Sequence, residues 1–513
     1  MRKLLTCLFV VSVVILLTCP LGMADEQMRP PAGKEGGHGK RPTGQRGNGN
    51  RTALTGSAVK VINGEQNPTE LPELSVQSTK ADESALRVQD GANVVIERLT
   101  INKRGDASSE EDSNFFSLNA SVAVWKGASL TVNGGLVESA AKGANAFVAY
   151  GKDASIKVQN LEIRTTANSS RGLHATYGGR IEGDHLKITT QGAHCAALAT
   201  DRGGGMVIGR NINAVTHGNG SPGIYSTGNI TAIDSSFDAT GSEAAVIEGK
   251  NSITVHNCTM VGHKRCGAML YQSFSGDADV GTSVFAMEGG SLTSKTGPVF
   301  FITNTNAKAK ISNAKLVPAN GVLVEGGSDR WGRTGRNGGH FTLQAESQAL
   351  DGDIVVNDIS DVTLILGQGA KLNGATNVKA TAGKVNMELG DGAIWNVTAD
   401  SSVDSLSFAG DTVDDLRKRI VSNGHVIHYR EKKGILNGEK ISLDNGGMLV
   451  YTPAPKVAVQ TSDDNQKRGG DRDGRRRPGP PPDGFGGGHR RGGPPSDGFG
   501  GKHRRGGPPP DDF

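Results

Sequence analysis

The sequence predicts an all-β chain wound into a solenoid of short stacked strands, and three observations carry that prediction. The 513 residues contain 74 glycines but only 14 Phe, 6 Tyr and 3 Trp, so the chain lacks the large side chains that fill several compact globules. The glycines follow no Gly-X-Y period and apolar residues recur through the middle of the chain, which excludes collagen and disorder throughout. Written in register from Ser121, six successive segments of 22–26 residues share one layout, as in AFVAYGKDASIKVQNLEIRTTANSS and AAVIEGKNSITVHNCTMVGHKRC. A period of 20–30 residues marks a solenoid. Each segment also carries three short apolar patches alternating at period 2, such as Phe147–Tyr150, 156–158 and 161–163, and helical spacing fits none of them.

Taken in order, the chain opens with Arg2 and Lys3 before an apolar run over 4–17. Gly22-Met23-Ala24 then supplies small residues where a signal peptidase reads, so cleavage after Ala24 and export are expected. The run is short for a membrane anchor, and no other stretch reaches the roughly 20 apolar residues of a spanning helix. Cys7 and Cys19 leave with this leader. The remaining Cys195, Cys258 and Cys266 are too few for a disulfide scaffold, with Cys258 and Cys266 either paired or buried as thiols. Residues 25–60, rich in Gly, Lys, Arg and Pro, are expected to be disordered, and 61–83 to belong to an N-terminal cap.

The repeats occupy 84–400. One patch cannot bury itself, so the coils must stack into parallel sheets around an Ala/Val/Leu/Ile core, giving about a dozen rungs roughly 4.8 Å apart. A turn residue recurs between the second and third patches at Asn133, Gly183, Gly209, Asp234, Asn257, Gly289 and Asn313, types that tolerate positive φ, and predicts a stacked left-handed corner. Residues 401–455 depart from the repeat, with a short helix expected within 411–421 and strands at Val426–Tyr429, 440–443 and Met448–Tyr451; this is the expected C-terminal cap over the open last rung. The tail, 456–513, repeats PPPDGFGGGHRRGG and PPSDGFGGKHRRGG, and its Gly/Pro/Arg richness predicts disorder. The formal net charge of +4 is uneven: 25–60 hold 7 basic and 3 acidic residues and 461–513 hold 11 basic and 8 acidic, which leaves the middle mildly acidic.

Units of three short strands with small-residue corners, and phrases such as Gly223-Ile224-Tyr225-Ser226-Thr227-Gly228 and Ala244-Ala245-Val246-Ile247-Glu248-Gly249, resemble right-handed parallel β-helices of the pectate-lyase-like superfamily. More closely, they resemble uncharacterised or adhesin-like secreted bacterial β-helix proteins. The resemblance covers about 84–455 and specifies fold rather than function, because this architecture hosts lyases, hydrolases, tailspikes and adhesins.

Enzymes of that architecture acting on acidic polysaccharides set carboxylates on adjacent rungs, to hold Ca²⁺ or act as acid and base. Here the first strands present one acidic residue, Glu248, and the next in that register is Glu325, three rungs away. The paired-Asp motif of the polygalacturonase relatives is absent, and no Ca²⁺ motif or metal cluster is seen. Asp201, Glu248 and Asp329 are therefore the catalytic candidates only of an alternative reading, a polysaccharide lyase or glycoside hydrolase. That alternative places its site where insertions 273–282 and 328–339 leave the same corner as Asp201-Arg202.

The insertion at 328–339 sets Trp331 among Arg330, Arg333 and Arg336, an aromatic face with cationic donors. With Arg202, Tyr225 and Tyr271 these are the candidate ligand-binding residues. Tyr225, Ile247, Leu270 and Phe301 form an outward apolar ribbon in one register and core in the register shifted by one, and both stay open. Arg104-Gly105-Asp106 spells an integrin-type tripeptide in an expected loop, KRGDASSEED. Basic residues interleaved with phenylalanines in the tail suit anionic cell-surface polymer, nucleic acid not being expected outside the cytoplasm. The leading reading is an exported, non-enzymatic, adhesin-like surface or matrix protein binding polysaccharide or another anionic surface, with no cofactor.

Overall fold

The computed structural model describes residues 56–64 and 69–453. The expected leader, most of the basic segment after it and the tail with its arginines and phenylalanines lie outside the described residues. Within them the chain is an all-β parallel β-helix of about 16 coils.

The first strands of successive coils build a front sheet of 12 parallel strands, from Ser57–Ile62 to Asp353–Val356. Second and third strands often form one bent element. In Gly179–Thr190, residues 179–184 pair with Gly205–Arg210 and 187–190 with Asn213–Thr216, so one strand serves two sheets. The stack exceeds the expected dozen because it continues at both ends of the visible repeats. Ser57–Ile62 already pairs with Glu83–Val88, and Ser401–Val403, Val426–Tyr429 and Met448–Tyr451 pair in parallel near the other end. There Ile441–Ser442 runs antiparallel against Met448–Tyr451. The short helix expected in 411–421 is Val413–Arg417, closed by a Thr412/Asp415 capping box.

Side chains alternate inward and outward, and the inward set is mainly aliphatic. A few aromatics join it: Phe285 packs on Phe300 and Phe300 on Phe341, each pair with centroids 5.7 Å apart. The register settles the apolar ribbon. Tyr225, Val246, Met269 and Phe301 are paired across adjacent strands and face outward, whereas Ile247 and Leu270 belong to the core. The outward reading holds for Tyr225 and Phe301 and is corrected by one residue for the two between them.

The left-handed corner is confirmed at Asp234, Asn257, Gly289 and Asn313. In three earlier coils it falls elsewhere. In the coils of Asn133, Gly183 and Gly209 the positive φ comes two residues later, at Gly135, His185 and Asn211, while Gly183 and Gly209 sit in strands facing the core, where a Cβ at Gly183 would lie 2.8 Å from Leu173 and Leu186. Those glycines make room for large neighbours rather than a turn. Cys195, Cys258 and Cys266 are buried free thiols; Cys258 lies in the main core and Cys266 in the outer apolar cluster.

A ladder of hydroxyls closes the third corner: Thr165, Thr190 and Thr216 each donate to the carbonyl five residues on, at 2.6–2.7 Å. Lys103 occupies the same row, paired to Ser78 and Ser139. Its side chain is fully buried, and its Nζ donates to the carbonyls of Lys80, Arg104 and Gly105.

Candidate functional site

Lys103 marks where the chain leaves the coil. Residues 104–120 do not form the loop expected for KRGDASSEED but carry helix α1, Glu110–Phe116, started by the Ser109 side chain accepting from the Asp112 amide and by acidic residues in its first turn. The signal was present in Ser109-Glu110-Glu111-Asp112 and was missed because its period is too short to register. Helix α1 lies against the outer face of the front sheet: His174 Nε2 donates to the Asn114 carbonyl (2.7 Å), Thr176 Oγ1 to that of Phe115 (3.1 Å), and Phe116 stacks on Tyr177 at 5.6 Å. Asp106 of the Arg-Gly-Asp tripeptide accepts from the Lys142 amide at 2.9 Å and so fixes this turn.

On the opposite long side of the same sheet, loops 272–281 and 327–338 leave the corner after Ala268–Tyr271 and Val322–Gly326. Helix α1 and the two loops border a cleft of about 420 Å³ whose outer-row side chains include Tyr225, Val246 and Met269. It forms because the insertions leave from opposite corners of one sheet.

At the centre stands Glu248, 1% exposed. Tyr225 and Tyr271 donate their hydroxyls to its Oε2, both at 2.9 Å; Ser273 and Ser275 donate to Oε1, the latter at 3.2 Å. The carboxylate therefore ties two front-sheet tyrosines to the root of loop 272–281, whose Phe274 at the cleft mouth is 71% exposed.

Asp201 is not in a turn as expected but ends the strand Leu198–Asp201, in the outward row that reaches Glu248 two coils later. This corrects the expectation that Glu325 is the nearest acidic residue in register, which came from ending the strand one residue early. Asp201 is 3% exposed and pairs with Arg171 at 3.2 Å. Burial pushes its carboxyl up to about 6, against the pull of the Arg171 guanidinium and with help from the nearby Asp277 and Glu248.

Between about pH 4 and 6 the folded chain holds a proton on Asp201 that the unfolded chain has released, so stability falls as pH rises through that window and the penalty is complete above it. The span is worth about 3 kcal/mol. Comparing the unfolding free energies of wild type and Asp201→Asn from pH 4 to 7 should show the variant's relative stability increasing by an amount of this order. A difference independent of pH would exclude Asp201 as the titrating group.

The other candidate residues divide. Trp331 and Arg330 line the cleft, with the guanidinium of Arg330 4.6 Å from the Trp331 ring. Trp331 is half-buried, its ring 5.3 Å from that of Tyr271, and its loop is pinned by Asn337 Nδ2 donating to the carbonyls of Asp329 and Trp331, both at 2.7 Å. Tyr271 is fully buried beneath it, so it positions its neighbours and cannot touch a ligand. Arg333 and Arg336 are exposed and outside the cleft lining, because the loop turns them away from the sheet. Asp329 pairs with Arg265; burial would raise its carboxyl, but that bond holds it below the usual range. Arg202 is a strap rather than a lining residue, bonding Asp277 at 2.6 and 3.0 Å, approaching Glu111 at 3.6 Å and lying 3.8 Å over the Phe115 ring. It joins helix α1 to loop 272–281. Among the described residues no group of three or more His, Cys, Asp or Glu could hold a metal ion, and no helix is long and apolar enough to cross a membrane.

No family model matches the chain, and no solved structure gives a significant match. Among curated proteins it is similar to the BrkA autotransporter of Bordetella pertussis (strain Tohama I / ATCC BAA-589 / NCTC 13251), at 24% identity over 333 residues. The match covers 63% of this chain but only 30% of that relative's length, so the likeness is to part of an autotransporter.

Proposed function

We propose that the chain is an exported, surface-presented β-helix protein that binds polysaccharide without cleaving it, in the cleft over the front sheet. The observation that carries this reading is the lining itself. An apolar row of Tyr225, Val246 and Met269 runs beside Trp331, and hydroxyls of Ser169, Ser242, Ser273 and Ser275 surround it. Flat apolar faces flanked by fixed donors and acceptors suit a sugar ring, whose C–H face is apolar and whose edge is polar. The likeness to an autotransporter and the leader expected at 1–24 support display outside the cell. Attraction of the basic tail to anionic surface polymer remains part of the reading and concerns residues outside those described.

A panel of neutral, acidic and amine-bearing polysaccharides, titrated against the purified full chain by calorimetry, tests it. Trp331→Ala is expected to weaken whichever saccharide binds by at least ~10-fold, the loss of about 1.4 kcal/mol. No binding across the panel would reject the reading.

One observation favours the hydrolytic alternative: Asp201, with its carboxyl near 6, shares the cleft with Glu248. Two coils separate them by roughly 10 Å, near the upper limit for an inverting carboxylate pair. Against it, both Glu248 oxygens already accept two hydroxyls each, which leaves little capacity to activate a water. Release of reducing ends that disappears in Asp201→Asn would establish this alternative instead.

A further inference from the structure

Resting on the carbohydrate reading, we propose that the cleft selects glycan segments bearing free amines, de-N-acetylated hexosamines, over neutral and acidic ones. The argument is one of charge compensation. Five carboxylates line the cleft, and three of them are already engaged: Glu110 by Lys142, Asp201 by Arg171 and Asp277 by Arg202. Of the lining guanidiniums, Arg171 is committed to Asp201 and Arg265 to Asp329, which leaves the exposed Arg330 at the rim.

Glu243 and Glu248 remain. Neither forms an ion pair among the described residues. Glu248 is bonded by hydroxyls alone, and Glu243, 6% exposed, accepts from Ser242 Oγ at 2.7 Å. Glu248, held by neutral donors, and Glu243, which feels the Arg265 guanidinium only beyond ion-pair distance, give the cleft a negative potential that little water screens, favourable to an ammonium and adverse to a uronate.

A second observation points to a hydroxylated ligand rather than a bare cation. Arg171, 9% exposed and part of the lining, has its Nη1 without an acceptor. A buried guanidinium N–H of this kind is matched by a sugar oxygen. A lysine-rich peptide would supply the charge and carbonyl acceptors for that donor, but no ring face to lie against Tyr225 and Trp331. An amino sugar offers both groups on one ring, and the cavity of about 420 Å³ lies within the usual range for small-ligand sites.

The test uses the full chain and four probes by calorimetry at pH 6.5: a glucosamine hexamer, its N-acetylated counterpart, an oligogalacturonate and pentalysine. The glucosamine hexamer is expected to bind at least ~10-fold more tightly than the N-acetylated one. That preference should shrink to within about threefold in Glu243→Gln, and in wild type once pH is raised far enough to discharge the sugar amines. The alkaline arm needs no variant and so is independent of any effect of Glu243→Gln on folding. Equal binding of the two hexamers, with both weakened in Trp331→Ala, overturns amine selectivity and leaves the carbohydrate reading standing. Tighter binding of oligogalacturonate likewise overturns the selectivity alone. Pentalysine bound as tightly as the glucosamine hexamer overturns the ligand class, and no saccharide binding overturns both proposals.

Discussion

Glu248→Ala is expected to lower the unfolding free energy by about 3–5 kcal/mol and to free loop 272–281 from the front sheet. Truncation removes one acceptor group serving four hydroxyls, and the Tyr271 hydroxyl, fully buried under Trp331, has no route to water. The loop then loses the bonds from Ser273 and Ser275 at its root, keeping Asp277 to Arg202 and the Gln272 carbonyl to Asn304 Nδ2 at 2.7 Å. Glu248→Gln preserves the shape but places an amide N–H₂ among donors, so it should cost less, about 1–3 kcal/mol. Urea unfolding measures the first effect and amide hydrogen exchange over 272–281 the second. Unchanged protection of that segment in Glu248→Ala would show that Arg202, Asn304 and the Lys250 amide, which donates to the Asp279 carbonyl at 2.8 Å, suffice to hold the loop.

Lys103→Met is expected to cost about 2–4 kcal/mol, although it replaces a buried cation with an apolar chain of similar length. Three carbonyls lose their common donor where 104–120 leaves the coil, and a thioether cannot replace it. Burial pulls the Lys103 ammonium down to about 8, against the opposing influence of Glu83, Asp106 and Asp82. Between about pH 8 and 10.5 the unfolded chain binds a proton that the folded chain lacks, so wild type gains stability as pH rises through that window while the variant does not. Denaturant unfolding of both proteins at pH 7.5 and pH 10 checks size and sign together. Equal stability at pH 7.5 would mean that water already satisfies those carbonyls.

The scaffold was legible because a coil repeats its constraints: Phe147–Tyr150, Ala245–Glu248 and Ala268–Tyr271 are bounded in the structure as their alternation predicts. The corner was legible only where Asn, Asp or Gly met no competing demand. At Gly183 and Gly209 glycine answers to the bulk of Leu186 and Ile212, and sequence does not distinguish room for a neighbour from room for a positive φ.

The cleft was half legible. Loops 272–281 and 327–338 were visible as extra length at one corner, and Trp331 as an aromatic among arginines. Helix α1 was not, although it makes the opposite wall. Asp201 was hidden by one residue of strand boundary, and the Glu248 hub by a side-chain network joining residues 23–27 positions apart, a separation that carries meaning only once coils are stacked.

The three insertions share a property that bears on how such a protein changes over generations. Each leaves the coil and returns with the flanking strands still in register: Leu86 pairs with Val122 across α1, Tyr271 with Thr303 beside loop 272–281, and Gly326 with Val356 beside loop 327–338. Hydrogen bonding between coils thus passes by the inserted segments without depending on their length. Cleft walls and scaffold are separable here. A lineage can lengthen, shorten or exchange a wall of the cleft, altering its shape and charge, while the stack beneath continues to fold as before.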